Sequence, residues 1–125
     1  PRRSDIKDKV NEIKRRQKFR PFAPAILEEH AKDYFEEPMG QHMQFTSRCL
    51  HPDSYTSITH IDGTSRVQTV DKTTNPGFRR LLERWYEETG CPMLLNTSLN
   101  IKGQPIVNDL TNAKEFAIMY KIKVF

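Results

Sequence analysis

One segment of the sequence constrains the fold more than any other, because it predicts a helix and the strand that follows it. Asn75 is a typical helix cap, Pro76 suits the first helical turn, and Gly90 is a typical helix end. Between these limits, apolar side chains recur at helical spacing: Phe78, Leu81, Leu82, Trp85 and Tyr86. Residues 93–95 are then continuously apolar, which favours a strand covered on both faces. A helix followed at once by a buried strand predicts a mixed α/β domain.

Small polar residues follow this strand directly, among them Asn96, Ser98 and Asn100. In α/β proteins, ligands bind in the crevice beyond the carboxyl ends of strands. Asn and Ser side chains there supply short donors that can hold phosphate or carbonyl oxygens. The alternative is a loop of turn-forming residues that satisfies its own backbone. The residues alone leave both interpretations open.

The rest of the chain predicts further short elements in one α/β domain. A first helix capped by Ser4 is expected to end before Arg20, because Pro21 disfavours helical geometry in the preceding residue. A short acidic helix is predicted over residues 28–37, and a last helix is predicted to be capped by Thr111. Strands are predicted at residues 25–27 (an edge or entry strand), at 41–49, on both sides of Asp62-Gly63, at 104–107 and at 120–125. The predicted core is Ile6, Val10, Ile13, Leu81, Leu82, Trp85, Met93, Leu94 and Leu95.

The length of 125 residues fits one domain, residues 1–125, and 36% hydrophobic with 29% charged residues is globular in character. No apolar run approaches the ~20 residues that cross a bilayer, and no signal peptide is present, so we expect a cytoplasmic protein with no membrane partner. Cys49 and Cys91 form no CxxC pair and the histidines lack metal-ligand spacing, which predicts reduced thiols and no metal site. A start without Met suggests a fragment of something longer.

The net charge of +4 is unevenly distributed. Residues 1–25 carry nine Lys and Arg against three Asp and Glu, so this segment is +6 and the remainder is −2. A local basic patch indicates a compact anion more than a long polyanion track. Within it, residues 14–20 (KRRQKFR) hold five cations, including Lys14, Lys18 and Arg20. The alternative is a solvated charge run, or cations that cap the end of a helix.

A second candidate segment is THIDGTSRVQTV, residues 59–70. Arg66 begins an apolar strand after a Gly turn, a position from which it can point into a crevice. His60 and Asp62 are two positions apart and would share one face of a strand. They can orient a nucleotide, a metal-bound water or each other, and the last of these is a purely structural pair. No GxSxG elbow, Walker loop or GxGxxG is present, so a nucleotide site must be of another type.

Three segments together resemble a known family: FRPFAPAILEEHAKDYFE, HIDGTSRVQTVDKTTNPGF and GCPMLLNTSLNIKGQPIV, in this order. They resemble the C-terminal domain of NodU/CmcH-type O-carbamoyltransferases over residues 1–112. The resemblance implies a YrdC-like α/β fold, a twisted mixed sheet with flanking helices. It also implies that this domain activates carbamoyl phosphate with ATP, accompanied by Mg²⁺, and gives carbamoyl adenylate and pyrophosphate. An N-terminal Kae1-like domain of the same polypeptide, with the actin-like ATPase superfold, then moves the carbamoyl group to a hydroxyl.

By motif position, the resemblance places the carbamoyl phosphate and carbamoyl adenylate pocket at Lys14, Arg20, Arg66, Asn96 and Ser98. Lys18 with Arg20, and Ser98 with Asn100, also resemble the Lys-x-Arg and Ser-x-Asn signature of YrdC-like proteins, so the register of the lysine stays open. Lys18 and Asn100, from this signature, are predicted to bind substrate, as are His60 and Asp62, from their shared strand face. The family's GPRALG-type stretch and its acceptor domain do not occur in this sequence.

Two other functions remain as alternatives. A YrdC-like fold can offer a basic concave face to RNA or a nucleotide without catalysis, although the basic run lacks the aromatic interleaving that single strands need for stacking. RNA binding is therefore not expected. The second alternative is an inactive fragment that folds and binds nothing.

Overall fold

A three-stranded mixed sheet lies at the centre of the computed structural model, which describes residues 1–123. Its two outer strands flank β1, in the order β4-β1-β5. The elements in chain order are helix α1 (Ser4–Ile13), strand β1 (Ala23–Leu27), a 3₁₀ helix (Glu28–Asp33), strands β2 (Ser47–Arg48), β3 (Thr64–Ser65) and β4 (Gln68–Val70), helix α2 (Pro76–Thr89), strand β5 (Met93–Asn96) and helix α3 (Leu110–Tyr120). The predicted mixed α/β domain with flanking helices is confirmed.

The directions of the three strands decide which chain segments meet at each end of the sheet, where the strands begin or stop. β4 runs parallel to β1, with Ala25 opposite Gln68, whereas β5 is antiparallel, with Ala23 opposite Asn96. One end of the sheet therefore carries the beginnings of β1 and β4 and the end of β5.

Strand β1 is buried along its whole length, and apolar clusters pack on both of its faces. On one face, Leu82 of α2 packs with Ala25, Leu27 and Val70. On the other face, Ile26 and Met93 join the larger cluster, which includes Phe35, Tyr55, Ile58 and Val67. A strand covered on both faces explains why the sequence around residues 25–27 is apolar without alternation.

Helix α2 has the limits that the sequence predicts. The Asn75 side chain accepts a hydrogen bond from the Phe78 N–H at 3.1 Å, and Pro76 occupies the first helical position. Gly90 ends the helix in the left-handed conformation, with φ of 63°. Glycine adopts this conformation without the steric cost that a Cβ brings.

Of the two predicted places for β1, an edge or an entry strand, the edge position is wrong, since β1 is the central strand. Pro24 is compatible with that place because the N–H groups of a strand point alternately to its two neighbours. The Leu27 N–H bonds to the carbonyl of Pro92 on the β5 side, so the missing N–H of Pro24 faces the other side. There, the pairing with β4 begins only at Ala25.

Several predicted strands are wrong, and two helix caps are displaced. Within the predicted strand 41–49, only Ser47–Arg48 form a strand, in a two-residue ladder with β3, and Cys49 makes an isolated antiparallel bridge with Phe35. Residues 104–107, 120–123 and the segment before Asp62 form no strand; residues 124–125 of the predicted last strand lie outside the described residues. Residues 104–106 are exposed and have little to gain from pairing, whereas Ile58, before Asp62, is buried in the core from a turn. Arg3, not Ser4, is the N-cap of α1, and Asp109, not Thr111, caps α3 by accepting a bond from the Asn112 N–H at 2.8 Å.

The predicted core is partly confirmed. Leu82 and Met93 are fully buried, but Leu81 and Trp85 on α2 are 55% and 39% exposed. Helix α2 meets the sheet on one side only, so part of its wide apolar stripe faces outward. The other five predicted core residues are half-buried: Ile6, Val10, Ile13, Leu94 and Leu95. Cys49 and Cys91 are buried and form no disulfide with each other. None of the helices in residues 1–123 has the length and apolar character to span a membrane.

Candidate anion-binding site

A cavity of about 430 Å³ opens at the end of the sheet where β1 and β4 begin and β5 stops. Arg20 lies three residues before β1, Arg66 lies two residues before β4, and Ser98 lies two residues after β5. The mixed sheet thus brings together side chains that are far apart in sequence. The lining consists of Lys14, Arg16, Gln17, Arg20, Arg66, Ser98, Asn100 and Lys102.

The end of α1 turns the basic segment toward this cavity. Arg15 has a left-handed φ of 52°, the Arg15 N–H bonds to the carbonyl of Glu12, and the Arg16 N–H bonds to that of Asn11 at 2.8 Å. This pair of bonds is a Schellman ending, which glycine usually provides. The chain therefore reverses at Arg15, and residues 16–20 run along the cavity.

Asn11 fixes the position of that segment. It is fully buried, and its side-chain amide donates to the carbonyls of Lys18 at 3.2 Å and Arg20 at 2.8 Å. These bonds hold the backbone next to the Arg20 side chain. Sequence analysis missed Asn11, although a polar residue beside the apolar stripe of α1 was an available signal.

Lys14 anchors the loop that carries Ser98 and Asn100. Its side chain is inside the protein, with only 4% of the residue exposed. Its ammonium donates to the carbonyl of Ser98, to the carbonyl of Asn100 at 2.8 Å and to the Asn100 Oδ1 at 3.1 Å. Burial lowers the pKa of Lys14, and the nearby Arg16 lowers it further. Three acceptors satisfy the three donors of an ammonium.

The loop after β5 is ordered by its own side chains. The Ser98 hydroxyl donates to the Asn100 Oδ1 at 2.6 Å, and the Asn100 amide donates to the carbonyl of Gln104 at 3.2 Å. Asn96, at the end of β5, donates to the Gln68 Oε1 at 2.6 Å. Both interpretations of this segment therefore apply, since the loop satisfies its own polar groups and also lines the cavity.

A second cavity of about 210 Å³ adjoins the first. The two share Arg16, Arg66 and Ser98 in their walls. The smaller cavity is otherwise lined by Pro21, Phe22, Ala23, Met43, Asn96 and Thr97. It therefore has one cationic side and one apolar side.

Positive charge dominates the larger cavity. Burial lowers the pKa of Arg16, and the positive charges of Arg20 and Arg66 add to that shift. Within residues 1–123, Arg16, Arg20 and Arg66 form no ion pair with a carboxylate. Guanidinium groups gathered without anionic partners are a receptor for a phosphate-type ligand.

The structure brings most of the predicted site residues together. Lys14, Arg20, Arg66, Ser98 and Asn100 line the larger cavity, and Asn96 lines the adjoining one. Sequence analysis missed Arg16, Gln17 and Lys102. Arg16 and Gln17 lie inside the basic run that the sequence singled out.

Three of the predicted substrate-binding residues lie outside this cavity. Lys18 is exposed, and the backbone bonds of its segment leave it outside the lining. His60 and Asp62 belong to a turn, not to a strand, and both bond to Thr64: the His60 Nδ1 lies 3.1 Å from the Thr64 hydroxyl, which donates to Asp62 at 2.7 Å. Their arrangement agrees with the structural alternative. Across residues 1–123, no group of three or more His, Cys, Asp and Glu side chains is placed to hold a metal ion.

Comparison with known proteins agrees with the resemblance in the sequence. Residues 1–125 match the family described as Carbamoyltransferase C-terminus. Nodulation protein NolO of Bradyrhizobium diazoefficiens is 40% identical over 90% of this chain and 22% of its own length. The 3'-hydroxymethylcephem-O-carbamoyltransferase of Amycolatopsis lactamdurans is 36% identical over 85% of the chain and 21% of its own length.

Nodulation protein U of Rhizobium tropici is 33% identical over 89% of the chain and 20% of its own length. The chain thus spans about a fifth of the length of these relatives. The family match extends over the whole chain. This chain belongs to the carbamoyltransferase C-terminus family.

Proposed function

We propose that this chain is the part of an O-carbamoyltransferase that binds carbamoyl phosphate and ATP and forms carbamoyl adenylate. The observation that carries the proposal is the convergence of Arg16, Arg20 and Arg66 beside Ser98 in one cavity without a carboxylate. A relative named as an O-carbamoyltransferase supports the reaction class.

The chemistry needs positioning and charge neutralisation more than a nucleophile. In the balanced reaction, carbamoyl phosphate, ATP and water give carbamoyl adenylate, pyrophosphate and phosphate. The mixed anhydride is hydrolysed, and the carbamate oxygen takes the AMP group as pyrophosphate leaves. Both substrates are anions, so bringing them together in water is opposed by their charges. Preorganised guanidinium groups offset that repulsion and hold the reacting atoms in place.

The roles of individual residues follow from their donors. Arg20 and Arg66 present planar forks that match phosphate oxygens. For the carbamate end, Asn96 has a second amide hydrogen besides the one bound to Gln68, and the Ser98 hydroxyl would turn from the Asn100 Oδ1 to the ligand. The cationic lining fits the phosphate groups of ATP and does not fit a bare Mg²⁺ ion. Mg²⁺ would arrive with ATP, bound chiefly by the nucleotide phosphates, and would neutralise part of their charge.

The remaining step would belong to the rest of the polypeptide. The relatives extend over about five times the length of this chain, which leaves room for the N-terminal Kae1-like domain that the resemblance implies. We propose that this domain transfers the carbamoyl group to a hydroxyl. The acceptor would then be selected by residues outside this chain.

Replacement of Arg66 tests the proposal most directly. Charge-assisted hydrogen bonds contribute about 1.5–3 kcal/mol each, so Arg66→Ala should weaken carbamoyl phosphate binding roughly 10- to 150-fold. Arg66→Lys should recover only part of this loss, because an ammonium keeps the charge without the planar fork. Ser98→Ala removes one neutral donor and should cost less, about 0.5–1.5 kcal/mol.

The measurement is carbamoyl phosphate-dependent exchange of pyrophosphate into ATP, with circular dichroism to verify folding. Arg80→Ala is the matched control, because Arg80 is exposed on α2 and forms no ion pair within residues 1–123. Wild-type exchange by folded Arg66→Ala protein would remove Arg66 from the site. If the chain is instead an RNA-binding module, RNA affinity should fall by decades between low and moderate salt.

A further inference from the structure

Arg16 occupies the junction between the two cavities. Its side chain is part of the wall of both the 430 Å³ and the 210 Å³ cavity, a property that it shares with Arg66 and Ser98. The guanidinium carbon lies 5.3 Å from the centre of the Phe22 ring, which forms part of the apolar wall of the smaller cavity. This cation–π contact fixes the guanidinium at the boundary between them.

Arg16 also has an unsatisfied donor inside the protein. Its Nε–H is enclosed and has no hydrogen-bond acceptor within residues 1–123. A buried N–H of a charged group without a partner is costly, so native structures usually supply an acceptor from the protein, an ordered water or a ligand. The neighbouring positive charges of Arg20 and Arg66 make an anionic acceptor the most favourable one.

We infer that Arg16 binds two anionic groups at once, one in each cavity, and so makes the site selective for ligands that bring two phosphate-type groups together. A guanidinium suits this role because its five donors point in different directions within one plane. An ammonium or a single hydroxyl does not span two cavities in this way. The inference deepens the proposed function and rests on it for the identity of the two anions: the acyl phosphate in the smaller cavity and the polyphosphate of the nucleotide in the larger one.

Inorganic pyrophosphate and inorganic phosphate are the probes that test this role. On this inference, pyrophosphate places one phosphoryl group in each cavity, whereas phosphate fills only one. Titration calorimetry of the chain without Mg²⁺ should therefore show tighter binding of pyrophosphate than of phosphate. Arg16→Gln should weaken pyrophosphate binding roughly 10- to 150-fold and phosphate binding less, so the preference for pyrophosphate should fall about tenfold or more.

Arg15→Gln is the matched control, because it removes the same charge one position away. Arg15 is exposed and does not line either cavity. The control should keep the wild-type preference, which separates a specific contact from a general loss of positive charge. Arg16→Lys keeps the charge. If Arg16→Gln fails to fold, this variant tests whether the guanidinium of Arg16 produces the preference for pyrophosphate. It should retain most phosphate affinity and lose much of the preference for pyrophosphate.

The outcomes separate this inference from the proposed function. Equal preference in Arg16→Gln and Arg15→Gln, an unchanged preference in Arg16→Lys, or no preference in the wild type would each overturn the role of Arg16. A preference that depends on Arg16, in a protein that shows no carbamoyl phosphate-dependent exchange, would support the two-anion site and count against carbamoyl activation. Conversely, the wild type could show carbamoyl phosphate-dependent exchange while Arg16→Gln keeps the same pyrophosphate preference as Arg15→Gln. That result would support carbamoyl activation and count against the two-anion role of Arg16.

Discussion

Lys14 and Arg66 illustrate two different uses of a cation at one cavity. Arg66 forms no ion pair within residues 1–123 and faces the cavity with its donors available. Lys14 also lines the cavity, but its three donors already bind the loop that holds Ser98 and Asn100. Lys14 is therefore expected to act as a positioning residue, through the loop and not through a direct ligand contact.

Replacement of Lys14 by Met should loosen that loop. Met keeps the apolar stem and removes the ammonium, which leaves the carbonyls of Ser98 and Asn100 without their donor. The free energy of unfolding should fall by about 1–3 kcal/mol, measured by urea denaturation. Amide exchange should become faster at Lys102, whose N–H bonds to the Lys14 carbonyl at 3.1 Å.

Lys7→Met is the matched control, because it removes one cation from α1 at a site that makes no ion pair within the described residues. It should leave the exchange rate at Lys102 unchanged. Equal exchange rates in Lys14→Met and wild-type protein would show that the loop does not depend on the ammonium.

Sequence could predict some residues of the site and not others, for a local reason. Arg66 and Ser98 follow directly from their places next to a turn and a strand end. The choice among Lys14, Arg16 and Lys18 depends on the reversal of the chain at Arg15. A non-glycine residue in the left-handed conformation is uncommon, so nothing in the sequence marked that reversal.

At the scale of elements, helix α2 was predicted to within its caps, but the way it joins the sheet was not. Arg79 on α2 is only 6% exposed; its guanidinium binds Glu29 and Glu83 and donates to the carbonyl of Val70 at 3.0 Å. One charged side chain thus ties α2 to the 3₁₀ helix and to β4. The sequence does not reveal this contact, because the carboxylate partner Glu29 lies 50 positions away.

This contact predicts a pH dependence of stability. The hydrogen bonds from Arg79 lower the pKa of Glu29 to about 2, below its usual 4.5. As the pH falls below about 5, the unfolded chain takes up the proton first, so stability is lost between about pH 5 and pH 2. Because the Glu29 side chain is 44% exposed, solvent screening reduces this loss to about 1 kcal/mol.

Urea denaturation across this pH range checks the expectation. Glu29→Gln should be less stable at pH 7 and should lose less stability on acidification than the wild type. Glu28→Gln is the adjacent control and should follow the wild type, since Glu28 forms no ion pair in residues 1–123. Identical pH profiles for the two variants would contradict the assignment.

For the whole molecule, the cationic cavity should lower stability when no anion is bound. Five Lys and Arg side chains line it and repel one another. Pyrophosphate at 100 times its dissociation constant should stabilise the fold by about 2.7 kcal/mol. For a domain of this size, that corresponds to a rise of roughly 10 °C in the melting temperature.

Differential scanning calorimetry measures this shift, with sodium chloride at matched ionic strength as the control. Arg66→Ala should melt at or above the wild-type temperature without pyrophosphate and should respond much less to it. A full response in Arg66→Ala protein would mean that pyrophosphate stabilises the fold from another place.

The mixed direction of the sheet is the feature that the sequence could not provide. Strand runs such as residues 25–27 and 93–95 can be identified from their apolar side chains, but the pairing of β1 with both β4 and β5 is non-local. The site was predicted at the carboxyl end of a strand, which holds for Asn96, Ser98 and Asn100 at the end of β5. Arg20 and Arg66 reach the same place at the amino ends of β1 and β4.

Hydrogen bonds between strands, and not the length of chain between them, hold Arg20 beside Arg66. Residues 44–46 are exposed and lie between β1 and β4 in sequence. A protease that cuts there would leave the β4-β1-β5 ladder and both apolar clusters intact. We therefore expect the two fragments to remain associated, to co-elute as one particle and to bind pyrophosphate as the uncut chain does. Expressed separately, the same two fragments should complement each other on mixing.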